Sequence, residues 1–179
     1  TPVEDINNWC YNKTTGKIKK ILDDIPPLAV MYLINAVDFD AKWQEKYGLE
    51  KDGYISLVSR LTAEKGVHYL IDAFLKINTD KKLVIAGDTS DTDDYVRMLK
   101  EKAAGNPNII FTGFVSGDVL KEIYSNSYIN VLPSDIEGMS LSLLESLAYG
   151  NALLCSDIIE NTAVAENHAM YFNHGDVLD

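Results

Sequence analysis

Residues 54–77 read YISLVSRLTAEKGVHYLIDAFLKI, and a change of period inside this stretch decides the fold. Positions 54–59 are a short β-rich run. From Val67 onward the apolar residues Val67, Leu70, Ile71, Phe74 and Leu75 recur at three- and four-residue spacing and leave Asp72 and Lys76 for solvent, which predicts an amphipathic helix over 67–77. A strand, a polar loop carrying Arg60 and Lys65, and a helix make the repeating unit of a parallel sheet.

Outward from this unit the pattern continues. Further strand-like runs fall at 82–86, 108–111, 128–132, 152–155 and 169–172, with helical patterns at 93–104, 117–124 and 141–149 between them. Ser116 is placed to cap the third helix, and Gly150 supplies a left-handed residue to end the fourth. The expected fold class is α/β, a parallel sheet with helices on both faces. Toward the amino terminus, 28–34 is an apolar segment, 41–47 a short polar helix candidate and Gly48 its stop. Residues 1–27 show no clear period and finish in Pro26-Pro27, so they read as linker or peripheral structure.

With 179 residues and 46% hydrophobic content the chain is long enough to bury one sizeable core. A net charge of -11 opposes nucleic acid or an anionic membrane surface as main partner, because both need a basic footprint. An anionic small ligand would need locally placed cations. Cys155 lies in an apolar run and reads as a core thiol, and no cysteine or histidine has zinc spacing, so no metal is expected. No signal-peptide pattern opens the chain and no apolar run approaches the ~20 residues that span a bilayer, so the expected location is cytoplasmic. The absent initial methionine and the helix-like last residues suggest a fragment of something larger, truncated before its final helices.

In open parallel sheets, ligands sit beyond the carboxyl ends of the strands, where helix amino termini offer free N–H groups. Two such loops stand out. In 60–66, Arg60 and Lys65 bring two cations to a strand end of an acidic chain, with Gly66 permitting close backbone approach; they could clamp a diphosphate, or simply pair with acids such as Glu64. In 133–140, amides near Gly138, Met139 and Ser140 lead into the Leu-rich helix and could meet a phosphate or sugar oxygen. Within that helix Ser142, Glu145, Ser146 and Tyr149 form one polar stripe opposite Leu141, Leu144 and Ala148, and Glu145 leans back toward Glu137. The two carboxylates read either as solvated residues, as ribose and sugar contacts, or as a glycosidase acid/base pair. Gly16-Lys17 is no phosphate loop, since it lacks the earlier glycine and the following Ser or Thr, and 88–94 lacks calcium-loop spacing. The sequon at Asn12 has no secretion signal to support it.

Taken in order, 57–66 (LVSRLTAEKG), 83–87 (LVIAG), 111–115 (FTGFV) and 137–145 (EGMSLSLLE) resemble the carboxyl-terminal half of the retaining GT-B glycosyltransferases, group 1 or family 4 like. The last of these is similar to that family's paired-glutamate motif, with seven residues between the acids. Asn35-Ala36-Val37-Asp38 resembles its Asn-Gly-Val-Asp turn. The resemblance spans about 28–179 and leaves 1–27 unmatched. It implies a Rossmann-like domain, one half of a GT-B fold, that binds a nucleotide-diphospho-sugar. Arg60 and Lys65 would act on the diphosphate and Glu137 at the donor sugar, as the catalytic set. Glu145 would hold the ribose, Gly138, Met139, Ser140 and Leu141 would offer amides, and Gly113, Phe114 and Val115 would lie near the base. It further implies no cofactor or metal, an acceptor domain outside these residues, and any membrane contact through that missing part. The chain alone is expected to bind nucleotide without turnover. Met139-Ser140 in place of Phe-Gly, Asn151-Ala152 in place of X-Pro and Ile159-Glu160-Asn161 in place of a Gly-Gly turn depart from the family pattern. The rival readings are a non-catalytic nucleotide-binding module and a glycosidase.

Overall fold

The computed structural model describes residues 2–13, 16, 19, 20, 23, 47–88 and 93–176. By compactness the chain divides into two units, Thr1–Asp40 and Ala41–Asp179. Residues 24–46, which include Pro26-Pro27, lie outside the described residues. The expected segments at 28–34 and 35–38, and most of 41–47, lie outside the described residues. Gly48, with φ 58, has the left-handed conformation of a helix stop.

In the first unit, helix α1 spans Pro2–Lys13, where no clear period was expected. Its stripe is there but weak: Val3, Ile6, Asn7 and Cys10 stand at three- and four-residue spacing, and Cys10 is fully buried. Asparagine in the stripe and a single strongly apolar pair hide it. Glu4 and Asp5 occupy the first turn, the favourable end of the helix dipole.

Among its described residues the second unit holds six parallel strands, β1 Tyr54–Val58, β2 Lys82–Ala86, β3 Ile109–Gly113, β4 Ile129–Leu132, β5 Leu153–Ser156 and β6 Met170–Phe172, in the order β3-β2-β1-β4-β5-β6. All six expected strands form, within a residue or two of their expected limits. The helices are α2 Val67–Phe74, α3 Asp93–Ala103, α4 Gly117–Asn126, α5 Leu141–Ala148 and α6 Ile159–Ala165. This is the Rossmann-like α/β architecture that the alternating pattern predicts.

Strand alternation feeds a core on each face of the sheet. Leu57, Leu83, Ile85, Ile109 and Val131 pack with Val67, Ile71 and Phe74 of α2 and Leu99 of α3. On the opposite face Leu132, Leu153 and Cys155 pack with Leu143 of α5 and Ala165 of α6. Burial pushes the Cys155 thiol up to about 11, as for the expected core thiol. Gly150, φ 70, closes α5 with its N–H on the Leu147 carbonyl at 3.0 Å. Ser116 takes the extended N-cap backbone of α4, but its side chain makes no capping bond. Helix α6 occupies the segment where the family pattern has its glycine turn.

Strand order reverses between β1 and β4: the chain leaves β1 toward β2 and β3, and returns to lay β4 on β1's other side, with Ile55 opposite Ile129. The loops after β1 and β4 therefore flank the point where, in such sheets, the topology opens a crevice.

Candidate functional site at the strand-order reversal

The β1 loop turns through a 3-10 segment, Ala63–Lys65, and ends at Gly66. Gly66 has φ 64, and a Cβ there would sit 1.9 Å from the Pro133 carbonyl oxygen. The close approach read from Gly66 is thus to the β4 loop itself. A backbone bond from Asp135 N–H to the Glu64 carbonyl, 2.9 Å, ties the same two loops.

This contact brings together side chains 72 residues apart. Lys65 Nζ donates to Glu137 Oε2 at 2.8 Å, and the two side chains are only 13% and 6% exposed. The other carboxylate oxygen, Oε1, accepts from Ser134 Oγ at 2.7 Å. Glu64 does not take Lys65: its carboxylate accepts from Thr62 Oγ1 at 2.7 Å, a bond that holds it below the usual carboxylate range. Arg60, in the β1 loop, is exposed, with no ion pair to any described residue.

Helix α5 departs from the expected stripe. Ser146 is fully buried beside Leu143, while Leu141 and Leu144 are exposed. With leucines at 141, 143, 144 and 147 the helix carries two possible apolar faces, and the sheet takes the one bearing Leu143 and Leu147. Ser140 caps the helix, its hydroxyl accepting from Leu143 N–H at 3.3 Å. The cap satisfies one of the first-turn amides, where a helix amino terminus otherwise offers free N–H groups. Gly138 faces open space, and Met139 and Leu141 are 72% and 69% exposed.

Glu145 is exposed, as that stripe required, but not free. Tyr124 of α4, fully buried, donates its hydroxyl to Glu145 Oε2 at 3.0 Å and stacks on Tyr149, with centroids 5.4 Å apart and planes 15° from parallel. Burial, then the Glu145 charge, raise the Tyr124 phenol and keep it a donor. Glu137 and Glu145 therefore have separate partners: lysine and serine for one, tyrosine for the other.

The third group lies along the sheet. The β2–β3 register shifts after Ile85, so that Gly113 sits opposite Ala86, and Gly113 accepts from Gly87 N–H at 3.0 Å. Phe114 projects from this edge, 77% exposed, next to half-buried Val115. Sequence reasoning did not single out Ser134 or Tyr124. Ser134 had a local signal, a hydroxyl three residues before a glutamate; Tyr124 had none, because its partner lies 21 residues on, on another helix.

Among the described residues no group of three His, Cys, Asp or Glu side chains could hold a metal ion. No helix among them is long and apolar enough to cross a membrane.

The family model of "Glycosyl transferases group 1" matches residues 39–173. An uncharacterised glycosyltransferase of Methanocaldococcus jannaschii, MJ1607, is 32% identical over 157 residues, 83% of this chain and 38% of its own length. Anabaena Alr3699/HepE in complex with UDP-glucose superposes with a TM-score of 0.69 at 20% identity, over 76% of this chain and 39% of that one. The carboxyl-terminal domain of a group 1 glycosyl transferase, LpcC from Francisella tularensis, gives 0.64 at 24% identity, covering 77% and 75%. The chain thus spans less than half the length of MJ1607. A second family model, "Serpin (serine protease inhibitor)", matches residues 2–52. The two matches overlap over residues 39–52, and Asn35 to Asp38, read above as a glycosyltransferase turn, fall within the serpin match and outside the other. Through the match over 39–173, the chain belongs to the group 1 glycosyl transferases.

Proposed function

We propose that the second unit is the donor-binding half of a retaining glycosyltransferase, which moves a sugar from a nucleoside diphosphate to an acceptor. The observation that carries this reading is the buried Lys65–Glu137 pair at the β1/β4 crevice, 2.8 Å apart, beside the amino terminus of α5 and the exposed Arg60.

In such a transfer the bond from the anomeric carbon to the diphosphate oxygen breaks, and its electron pair goes to the leaving diphosphate. The acceptor oxygen bonds to the same face of the carbon, and its proton passes to the departing diphosphate oxygen. Charge therefore grows on the diphosphate, and fixed cations and amides lower the barrier when they already point there. Lys65, Arg60 and the amides of Gly138 to Leu141 fill that role without a metal or cofactor. Glu137, its carboxylate fixed by Lys65 and Ser134, meets the donor sugar. Glu145, held by Tyr124, accepts from ribose hydroxyls, and Gly113, Phe114 and Val115 border the base. HepE is described with UDP-glucose in place, which favours a nucleotide sugar here.

A glycosidase is disfavoured, because Glu137 is engaged as an acceptor from a lysine and a serine, whereas a general acid needs a proton to give. Transfer also needs an acceptor-binding half beyond these residues, so the chain alone binds nucleotide without turnover. Calorimetric titration with UDP, GDP and ADP tests this: at least one binds, and more weakly to Lys65→Ala. Binding of none sinks the proposal, and undiminished binding to Lys65→Ala removes the diphosphate role of that lysine.

A further inference from the structure

Glu137 is held by more than its own loop. Ser134, which donates to Glu137 Oε1, is 1% exposed, and its carbonyl accepts from Ser156 Oγ at 2.6 Å. Ser156 is the last residue of β5 and fully buried. Asn161 of α6, 1% exposed, donates its Nδ2 to the Ser156 carbonyl and to Ser156 Oγ, both at 3.1 Å.

The direction of this chain is fixed by chemistry. The Ser156 carbonyl can only accept, so Asn161 must turn its NH2 toward it. The single Ser156 proton goes to the Ser134 carbonyl, leaving its oxygen to accept from Asn161. Every donor points the same way, from α6 through β5 to the β4 loop and the Glu137 carboxylate. Asn161 Oδ1 is buried without a partner among the described residues, an arrangement that disfavours folding relative to an apolar side chain in the same place.

We propose that Ser156 and Asn161, through Ser134, are positioning residues that set the orientation of Glu137 toward the donor sugar. The inference rests on the donor-site reading above. Without the Ser156 hydroxyl the Ser134 carbonyl is left buried and unpaired, and the loop relaxes. The Ser134 hydroxyl then moves with its loop, and the Glu137 carboxylate that it holds no longer faces a fixed point. The diphosphate cations Arg60 and Lys65 stand on the β1 loop, outside this chain of bonds, and the Ser140 cap holds the amides that lead into α5.

Affinities of the whole chain for UDP against UDP-glucose, and GDP against GDP-mannose, separate this role from a merely structural one. In Ser156→Ala and Asn161→Ala the preference for the nucleotide sugar over its nucleoside diphosphate falls about tenfold. Nucleoside diphosphate affinity stays within about twofold. Ser156→Thr, which keeps the hydroxyl, restores the preference; Ser134→Ala repeats the loss should Ser156→Ala not fold. An unchanged preference in these variants, while Glu137→Gln lowers it, overturns the positioning role and leaves the donor site standing. An equal loss for both ligands makes the chain structural and also overturns it. No preference change in Glu137→Gln, or no nucleotide binding by the parent chain, removes the donor-site reading and this inference with it.

Discussion

Replacing Lys65 by methionine keeps the aliphatic stem but strands the Glu137 carboxylate, 6% exposed, with Ser134 as its remaining donor. At 2.8 Å the gross attraction is about 6 kcal/mol at an effective dielectric of ~20. Desolvation of two largely buried ions takes back several kcal/mol. The net coupling left is about 2 kcal/mol, the range seen for residues in one network. Lys65→Met alone is expected to destabilise by about 3 kcal/mol, because it leaves a buried charge uncompensated. Glu137→Gln alone costs less, since the amide oxygen still accepts from Ser134. The double variant recovers about 2 kcal/mol of the sum. Urea unfolding of the four chains, followed by circular dichroism, measures this cycle. A coupling below about 0.5 kcal/mol would refute a desolvated pair and return Lys65 to the status of a surface cation.

Four further outcomes follow from the same geometry. Gly66→Ala places a methyl 1.9 Å from the Pro133 oxygen at φ 64, so it should lower stability by more than the ~1–2 kcal/mol of left-handed strain alone and weaken nucleotide binding; calorimetry and thermal unfolding report both. Tyr124→Phe keeps the stack on Tyr149 but frees Glu145, so it should cost about 1 kcal/mol and weaken a ribonucleotide more than its 2′,3′-dideoxy analogue. The Cys155 thiol, pushed up to about 11, holds its proton in the folded state above the pH at which an unfolded thiol loses it. Stability therefore falls as pH rises from ~8.5 toward 11, by up to 1.36 kcal/mol per unit, and Cys155→Ala should flatten that part of the melting-temperature profile. Removal of residues 1–40 should leave nucleotide affinity unchanged, which titration of the 41–179 unit checks.

Much of the fold was legible because period and punctuation agreed. The β1-loop-α2 stretch shows both periods at full strength, and the fully buried β2, Leu83 to Ala86, reads as a continuous apolar run. Helix α5 was placed well along the chain but turned wrongly, since its sequence LSLLESLA offers two leucine faces and only the sheet chooses between them. Helix α1 escaped because asparagine sits in its stripe. At the site, each loop announced its charged residues, yet nothing local to Lys65 could show that its partner is Glu137, 72 residues away. That pairing comes from the strand order, which sets β4 beside β1, and from Gly66, whose missing side chain lets the loops touch. The Tyr124–Glu145 bond and the Asn161–Ser156–Ser134 chain likewise arise from packing between elements distant in sequence.

The most direct test of the donor site at the strand-order reversal is amide chemical-shift mapping of the chain titrated with UDP and GDP. The expected result is perturbation concentrated at residues 60–66, 113–115 and 138–145. Shifts confined to the opposite end of the sheet, around Gly48, Gly53 and Lys81, would contradict it.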